Sequence, residues 1–278
     1  MSSSAAPLTP GVAFITGGAR GLGHATALAF AQHGARAIVL ADIHDDATMT
    51  AAAQAVTSLG AACLPLRCDV SQESEVAAAI ATTVATYGRI DYAANFAAIM
   101  GPVDGIGGLK LEHWERVMRV NSTGLMLCVK HELAQLMKQV EAEQVEGKVP
   151  GRQVGSIVNC GSINSILGGA RAGTYTVAKH AVLGITRVAA GEGRKHGIRV
   201  NAIGPGVVHT QFSETAIIGG EQVAGPTNQG LTKLLEKQGR EILPEEIGEA
   251  TVLLSSSAMS AVNGHLLPLD AGLTSQAA

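Results

Sequence analysis

The sequence predicts an α/β fold class, with one doubly wound parallel sheet of seven strands and helices on both faces. Three observations predict it. The chain has 278 residues, a length common for a single α/β domain, and 46% of them are hydrophobic while only 15% are charged. Short β-branched runs alternate with longer Ala-rich stretches of helical spacing, which is typical of βαβ units. In such a sheet the ligand lies beyond the carboxyl ends of the strands.

The predicted strands are short apolar runs rich in Val, Ile and Ala, and they are separated by longer helical patterns. The strands are predicted at 12–16, 36–41, 61–68, 90–95, 154–160, 198–203 and 265–269. The helices are predicted at 22–33, 45–59, 72–86, 111–142, 174–195 and 244–257. Residues 1–10 are rich in Ser, Ala and Pro and are expected to form a loose tail, so the predicted domain is 11–278.

Two segments interrupt this alternation. Residues 141–153 are polar and contain Gly and Pro, which predicts a surface loop. Residues 209–244 are too many for a plain connection in a compact domain, and a long insertion beside a ligand edge is often a lid. We therefore expect 209–244 to cover the substrate.

Composition argues against several classes of partner. The formal net charge is −3 and no cluster of Lys and Arg is interleaved with aromatic residues, so nucleic acid is not an expected partner. No uncharged apolar run approaches the roughly 20 residues of a membrane-spanning helix, and no signal peptide is evident, so we expect a cytoplasmic protein without membrane contact. The four cysteines form no C-x-x-C pair and the nine histidines show no ligand spacing, so we expect reduced thiols and no metal.

A glycine-rich turn joins the first predicted strand to the first predicted helix. This turn, 16–23, reads TGGARGLG. Glycines permit positive φ and close backbone approach, and the free amides at a helix start favour an anion, so a pyrophosphate suits this place. The spacing differs from the common G-x-G-x-x-G fingerprint. A turn that only lets the helix pack on the strand is the alternative.

The pattern T-G-x-x-x-G-x-G resembles the cofactor loop of the short-chain dehydrogenase/reductase family. The resemblance runs from 12 to 272, where Asp270-Ala271-Gly272 is similar to the family's closing D-G-G. It implies a single-domain Rossmann fold that binds a nicotinamide dinucleotide. The loop residues that it makes candidates for cofactor contact are Gly17, Arg20, Gly21, Leu22 and Gly23.

Acidic residues after the second and third strands are candidates for the adenosine end of the cofactor. Asp42 could accept hydrogen bonds from the ribose hydroxyls and repel a 2′-phosphate, so NAD is expected over NADP. A surface-turn role for Asp42 is the alternative, and Arg20 could tolerate the extra phosphate. Asp69 and Val70 resemble the family's adenine-edge pair, with a helix N-cap role for Asp69 or Ser71 as the alternative.

Tyr175 and Lys179 are four residues apart in a predicted helix, so phenol and ammonium share one face. A nearby cation lowers the pKa of a phenol, whose reference value is near 10, and a positively charged nicotinamide would add to this effect. Ser162 follows the fifth strand thirteen positions before Tyr175, the family's usual separation, and would donate to the substrate oxygen. A surface Y-x-x-x-K and a turn-capping Ser are the alternatives.

Asn121 lies inside a long helical pattern, which suggests a local kink. The resemblance implies that Asn121 holds a water beside Lys179 and completes a proton relay that runs from Tyr175 through the cofactor ribose. Packing is the alternative role for this side chain.

Two further stretches resemble cofactor-lining segments of the family. Residues 95–98, NFAA, align with N-N-A-G and make Asn95 and Ala97 candidates, although we expect Asn95 to brace the sheet more than to touch cofactor. The Cβ atom of Ala98 could narrow the space beside the nicotinamide ribose. Residues 205–210 resemble the P-G-x-x-x-T loop that holds the carboxamide, with an ordinary Pro-Gly turn as the alternative. Its candidates are Pro205, Gly206, Val208 and Thr210.

Together these motifs imply an NAD(H)-dependent oxidoreductase that moves a hydride between nicotinamide and a secondary alcohol or ketone, with Tyr175 as general acid/base. The expected pocket segments 99–107, 163–170 and 212–235 are mostly apolar, and Arg171 is the cation that we expect beside them, which predicts a neutral, fairly hydrophobic small-molecule substrate. A non-redox relative (dehydratase, isomerase or cyclase) and a catalytically silent NAD-binding protein are the alternatives. The resemblance also implies a homotetramer or homodimer paired through helices 111–142 and 174–195.

Overall fold

One parallel sheet of seven strands organises the computed structural model, which describes residues 6–102, 105–145, 153–169, 172–208, 215–218, 221–224 and 229–276. The strands of these residues are β1 (Val12–Thr16), β2 (Ala37–Asp42), β3 (Ala62–Arg67), β4 (Tyr92–Asn95), β5 (Gly155–Cys160), β6 (Ile198–Pro205), β7 (Thr215–Ile218), β8 (Glu221–Ala224) and β9 (Leu266–Leu269). The sheet order is β3-β2-β1-β4-β5-β6-β9, and β7 pairs with β8 as a separate antiparallel hairpin. The order reverses between β1 and β4, where a doubly wound sheet leaves its ligand crevice.

Helices cover both faces of the sheet. They are α1 (Gly21–Gln32), α2 (Asp46–Ser58), α3 (Glu73–Tyr87), α4 (Leu111–Met118), α5 (Leu125–Val145), α6 (Gly173–Gly193), α7 (Gln229–Gln238) and α8 (Pro244–Ser255). A π-helical turn, Arg119–Gly124, separates α4 from α5.

Strand β1 shows why both faces are apolar, since successive side chains of a strand point to opposite sides. Ile15 packs in one core cluster with Phe30 of α1, whereas Phe14 packs in another with Val76 of α3. All five residues of β1 are buried. A strand buried on both faces reads as a continuous apolar run, which is the pattern that predicted it.

The predicted α/β fold class is confirmed, and every predicted strand of the sheet lies within two residues of its observed bounds. The prediction of one helix over 111–142 is wrong, because the π turn interrupts it. Within that turn Asn121 Oδ1 accepts the Ile99 N–H at 2.8 Å and Nδ2 donates to the Ile99 carbonyl at 2.8 Å. The helix-interior position of Asn121 predicts a local kink. The π turn is this kink, and within it the Asn121 side chain binds the loop that contains Ile99.

Three predicted irregular segments are more ordered than expected. Helix α5 continues to Val145, into the predicted loop 141–153. The segment 209–244 contains the β7–β8 hairpin and α7. Thr9, inside the predicted loose tail, is fully buried, and its N–H donates to the His33 carbonyl at 3.2 Å.

Candidate active site

A cleft of about 590 Å³ opens at the carboxyl ends of β1, β2, β4, β5 and β6. Most of the predicted site residues lie along it. These are Gly17, Arg20, Gly21, Leu22, Gly23, Asp42, Asp69, Val70, Ala97, Ser162, Tyr175, Lys179, Pro205, Gly206 and Val208. Asn95 and Asn121 lie behind the cleft wall, and Thr210 lies outside the described residues.

The turn after β1 depends on glycine at two positions where backbones approach each other. A Cβ atom on Gly23 would lie 2.1 Å from the Gly17 carbonyl oxygen, and a Cβ atom on Gly17 would lie 2.7 Å from the Ala97 nitrogen. Gly17 and Gly21 also have positive φ angles, of 68° and 57°. The turn therefore folds tightly against the start of α1 and presents the amides of a helix N-terminus to the cleft, which is an arrangement suited to a phosphate group.

Asp42, at the end of β2, is held in place by two backbone amides. Its Oδ2 accepts the Ala19 N–H at 2.9 Å, and its Oδ1 accepts the Ile43 N–H at 2.7 Å. The residue is only 7% exposed, so the surface-turn alternative is wrong. Because each carboxylate oxygen has a further lone pair, Asp42 remains able to accept hydrogen bonds from a ligand.

The Asp69–Val70 pair lines the cleft beside β2, and its carboxylate has a local backbone partner. Asp69 Oδ1 accepts the Ser71 N–H at 2.9 Å, which closes a short Asx turn. Helix α3 begins at Glu73 with Gln72 in the N-cap position, so the N-cap alternative for Asp69 or Ser71 is wrong. Val70 is buried and supplies an apolar wall.

Tyr175, Lys179 and Ser162 converge where α6 passes the end of β5. The Ser162 hydroxyl is hydrogen-bonded to the Tyr175 side chain, and the ammonium of Lys179 lies 5.5 Å from the centroid of the Tyr175 ring. Lys179 is 3% exposed, and its Nζ donates to the Cys160 carbonyl at 2.7 Å. Ser162 also caps the following 3₁₀ turn, since its Oγ accepts the Asn164 N–H at 3.1 Å. The capping role and the contact with Tyr175 therefore coexist.

The electrostatic balance at Tyr175 differs from the expectation. The charge of Lys179 acts to lower the pKa of Tyr175, as predicted, and the hydrogen bond with Ser162 acts in the same sense. Burial acts in the opposite sense and is the largest effect, so the pKa of Tyr175 is raised above its ordinary value of 10.0. The phenol is therefore protonated at neutral pH in the protein by itself.

Asn121 contacts the backbone of the loop after β4. The oxygen and the nitrogen of its side-chain amide are both paired with the backbone of Ile99, which lines the cleft. The cleft-lining residues of its own turn are Arg119 and Val120. The position of this Asn side chain therefore fixes the loop that follows Ala97 and Ala98.

Asn95 forms part of a buried polar network within the sheet. Its Nδ2 donates to Asn159 Oδ1 at 3.1 Å and to Glu132 Oε2 at 2.9 Å, and its Oδ1 accepts the Thr16 hydroxyl at 3.2 Å. This geometry is that of a sheet brace. Glu132 has no site motif in the sequence, yet it is fully buried, and burial raises its pKa to about 8.

The end of β6 and the loop after it line the cleft with four residues, Pro205, Gly206, Val207 and Val208. The side chain of Gln238, the last residue of α7, is paired with the backbone of Val207. Sequence reasoning missed Gln238, since a glutamine in a polar helical stretch carries no signal of burial.

The segments expected to bind substrate contribute apolar residues to the cleft. Ile99, Met100, Ile163 and Leu234 line it, and they come from all three of those segments. The expected cation, Arg171, lies outside the described residues. The structure instead places two exposed arginines of the α4–π segment, at positions 116 and 119, on the cleft wall. The prediction of a lining almost without cations is therefore wrong.

The described residues contain neither a candidate membrane span nor a candidate metal cluster. None of their helices is long and apolar enough to cross a membrane. Among the same residues, no group of three or more His, Cys, Asp or Glu side chains is arranged to hold a metal ion.

Comparison with known proteins identifies the family. Residues 17–274 match the family model described as Enoyl-(Acyl carrier protein) reductase, and this match spans most of the chain. The chain belongs to the short-chain dehydrogenase/reductase family. Members of this family of oxidoreductases normally bind a nicotinamide cofactor.

The similarity to other short-chain dehydrogenase/reductase proteins extends over nearly the whole chain. The sequence is 36% identical over 263 residues to 2,5-dichloro-2,5-cyclohexadiene-1,4-diol dehydrogenase of Sphingobium indicum, covering 94% of this chain and 95% of that protein. It is 34% identical over 263 residues to (+)-cis,trans-nepetalactol synthase of Nepeta racemosa, covering 94% and 90%. The crystal structure of levodione reductase superposes with a TM-score of 0.81 at 29% identity, covering 97% of this chain and 99% of that one.

Proposed function

We propose that this chain is an NAD(H)-dependent oxidoreductase acting on a secondary alcohol or ketone, with Tyr175 as general acid/base. The observation that supports it best is the meeting of Tyr175, Ser162 and Lys179 in one cleft with a glycine-rich helix start. A bound nicotinamide would supply or accept the hydride. The remaining chemistry belongs to the side chains of this chain.

The residues present fit such a cofactor. The backbone contact between Gly23 and Gly17 leaves a cradle of helix-start amides that suits a pyrophosphate. Asp42 would hold the adenosine ribose, with Asp69 and Val70 at the adenine edge. Lys179 would hold the nicotinamide ribose, and the loop 205–208, together with Thr210, would hold the carboxamide.

The preference for NAD over NADP rests on Asp42. Its carboxylate is fixed by Ala19 N–H and Ile43 N–H, so it cannot swing away from a ligand without losing both hydrogen bonds. A fixed carboxylate favours two ribose hydroxyls as donors and repels a 2′-phosphate.

The hydroxyl groups of Ser162 and Tyr175 would act on the substrate oxygen. Ser162 would donate a hydrogen bond that stabilises the negative charge developing on that oxygen. Tyr175 would give it a proton during ketone reduction and take one during alcohol oxidation. Lys179 would stabilise the phenolate that remains after proton donation.

We further propose a neutral, fairly hydrophobic substrate. The apolar lining by Ile99, Met100, Ile163 and Leu234 supports this class. The similarity to a cyclohexadiene diol dehydrogenase agrees with a ring that carries a secondary hydroxyl. Arg116 and Arg119 are exposed and suit the polar rim of such a cleft.

A second candidate is non-redox chemistry on the same fold. The observation that favours it is the similarity to a nepetalactol synthase, together with the bulky Phe96 that lines the cleft. A catalytically silent NAD-binding protein would share the cofactor residues but would show no turnover of any substrate.

We also propose a cytoplasmic homotetramer or homodimer. The four cysteines are free thiols, which agrees with a reducing compartment. Met126 on α5 and Val177 and Val188 on α6 are exposed apolar side chains that suit a helix-pairing interface.

The test of the reaction is a screen of ketones and secondary alcohols followed by nicotinamide absorbance, using native protein and Tyr175→Phe. We expect Tyr175→Phe to lower kcat by about 100-fold or more, as expected for a lost general acid/base. Tyr87→Phe is the matched control, because Tyr87 lies on α3 away from the cleft. Turnover that survives in Tyr175→Phe would refute the mechanism, and product formation without change in nicotinamide absorbance would favour the non-redox candidate.

The cofactor preference is tested by comparing NAD with NADP in native protein and in Asp42→Ala. We expect native protein to prefer NAD and Asp42→Ala to lose about tenfold or more of that preference, since one charge-assisted contact is removed. A native preference for NADP would overturn the assignment.

A further inference from the structure

A buried side-chain amide, that of Gln238, binds the loop after β6 from outside the sheet. The Val207 N–H donates to Gln238 Oε1 at 2.8 Å, and Gln238 Nε2 donates to the Val207 carbonyl at 2.9 Å. Gln238 Nε2 also donates to the Arg240 carbonyl at 2.7 Å. Gln238 is 5% exposed, so these hydrogen bonds are shielded from water. The side chain thus occupies both backbone groups of one cleft-lining residue.

The neighbouring residues are shaped around this contact. A Cβ atom on Gly206 would lie 2.1 Å from Gln238 Oε1, so the close approach of the amide requires glycine there. The Val207 carbonyl also accepts the Ile242 N–H at 3.1 Å, and Val208 pairs with Ile242 as an isolated β-bridge. The loop is therefore clamped by the chain that follows α7 and is not held by β6 alone.

The same amide connects two walls of the cleft. Gln238 ends α7, and Leu234, one turn earlier on that helix, lines the cleft. Residues four apart share a helix face, so Leu234 and Gln238 both face the inside of the molecule. The helix that borders the substrate end and the loop that borders the nicotinamide end are thus joined through one side chain.

We propose that Gln238 is a positioning residue that fixes the loop 205–208 for the nicotinamide end of the cofactor and ties that loop to helix α7. This inference rests on the proposed function. Gln238 itself does not line the cleft, so it acts through the Val207 and Val208 backbone. Without its amide, the buried Val207 N–H has no partner, and the loop is left with its backbone contacts to Ile242 and Leu269.

The position of the Gln238–Val207 contact predicts that Gln238 affects the binding of some ligands and not of others. The adenosine half of a dinucleotide would lie along β1, β2 and Asp42. In the sheet, β4 and β5 separate these strands from β6 and its loop. Binding of ADP-ribose, which lacks nicotinamide, should therefore not depend on Gln238, whereas binding of NADH should. A variant that lost its overall fold would bind NADH and ADP-ribose more weakly alike.

The chain offers a matched control in Gln139. The Ile90 N–H donates to Gln139 Oε1 at 3.0 Å, and Gln139 Nε2 donates to the Ile90 carbonyl at 2.7 Å. This is the same pair of hydrogen bonds that Gln238 makes with Val207. Gln139 is 9% exposed and contacts the residues before β4, at the sheet edge opposite the cleft. Its replacement removes the same hydrogen bonds from a place without a ligand.

The experiment measures the Kd of NADH and of ADP-ribose for native protein, Gln238→Met and Gln139→Met. We expect Gln238→Met to raise the Kd of NADH about tenfold and to leave the Kd of ADP-ribose within about twofold, while Gln139→Met changes neither. Hydrogen exchange at the Val207 amide should accelerate in Gln238→Met even without nucleotide.

Several outcomes would overturn the inference. The first is an unchanged Kd of NADH in Gln238→Met, and the second is a Kd of NADH and a Kd of ADP-ribose that rise together. The third is an equal rise of the Kd of NADH in Gln139→Met. The fourth is a Val207 amide that stays protected from hydrogen exchange in Gln238→Met. If native protein binds no nicotinamide nucleotide, the proposed function fails and the inference fails with it. If native protein binds NADH normally and Gln238→Met does so as well, the inference alone fails.

Discussion

Replacing the buried Glu132 with glutamine should remove a pH-dependent cost of folding. The Glu132 carboxyl is fully buried, its Oε2 accepts Asn95 Nδ2 at 2.9 Å, and its Oε1 has no hydrogen-bond partner within the described part of the chain. Burial raises the pKa of the neighbouring Cys128 thiol, and the charge of Glu132 adds to that effect. Burial outweighs the hydrogen bond from Asn95, so the pKa of Glu132 is raised to about 8.

The size of the effect follows from that pKa. Below the ordinary value of 4.5, folded and unfolded chains both hold the proton and folding carries no cost from this group. Between 4.5 and about 8 the unfolded chain ionises while the folded chain does not, so each pH unit lowers the free energy of unfolding by about 1.4 kcal/mol. The loss is about 3 kcal/mol at pH 7 and about 4 kcal/mol at pH 8, where half of the folded chains are ionised.

The assay is urea denaturation of native protein and Glu132→Gln, followed by circular dichroism between pH 5 and pH 8. The stability of Glu132→Gln relative to native should increase by about 1.4 kcal/mol for each pH unit, whatever constant offset the new amide introduces. Glu192→Gln, at an exposed position on α6, should show little difference from native at any pH. A difference between Glu132→Gln and native that does not change with pH would refute the assignment of a neutral buried acid.

Two further predictions concern the cleft. Gly23→Ala should abolish nucleotide binding, because its Cβ atom would lie 2.1 Å from the Gly17 carbonyl oxygen. Gly184→Ala, with open space at the Cβ position in α6, should bind nucleotide normally and gain about 1 kcal/mol of stability. A fluorescence titration with NADH checks both variants, and normal binding by Gly23→Ala would contradict the proposed pyrophosphate cradle. In a spectrophotometric titration, the difference between native protein and Tyr175→Phe should show a phenol pKa above 10.0 without nucleotide, since burial outweighs Lys179, and a lower value with NAD bound. A phenol that already ionises near neutral pH without nucleotide would be inconsistent with the burial of Tyr175.

The elements that sequence predicted well are those whose signal is local. Strand β1 is buried on both faces and reads as an apolar run, and Tyr175 and Lys179 share a helix face by their spacing alone. The π turn at Asn121 was indicated as a kink, but its pairing with Ile99 joins residues 22 positions apart and has no local signature.

The residues that sequence reasoning missed have distant partners. Gln238 is paired with Val207, 31 positions away, and Glu132 with Asn95, 37 positions away. A polar residue in a helix has the same local pattern whether it faces water or the core, so only the fold separates Gln238 from an exposed glutamine. The cleft position of Arg116 and Arg119 likewise depends on how α4 meets the π turn.

The π turn at Arg119–Gly124 also decides how the chain tolerates a deletion at that point. A π turn completes one turn with one residue more than an α turn, so α4 and α5 keep nearly the rotational phase of one continuous helix. Deleting one residue there should therefore produce a regular helix and leave Leu133 and Leu136 packed on the sheet. The residues that such a deletion displaces are those of the turn itself, where Asn121 binds the Ile99 backbone. We therefore expect a one-residue deletion to disturb the loop beside the cleft more than the packing of α5.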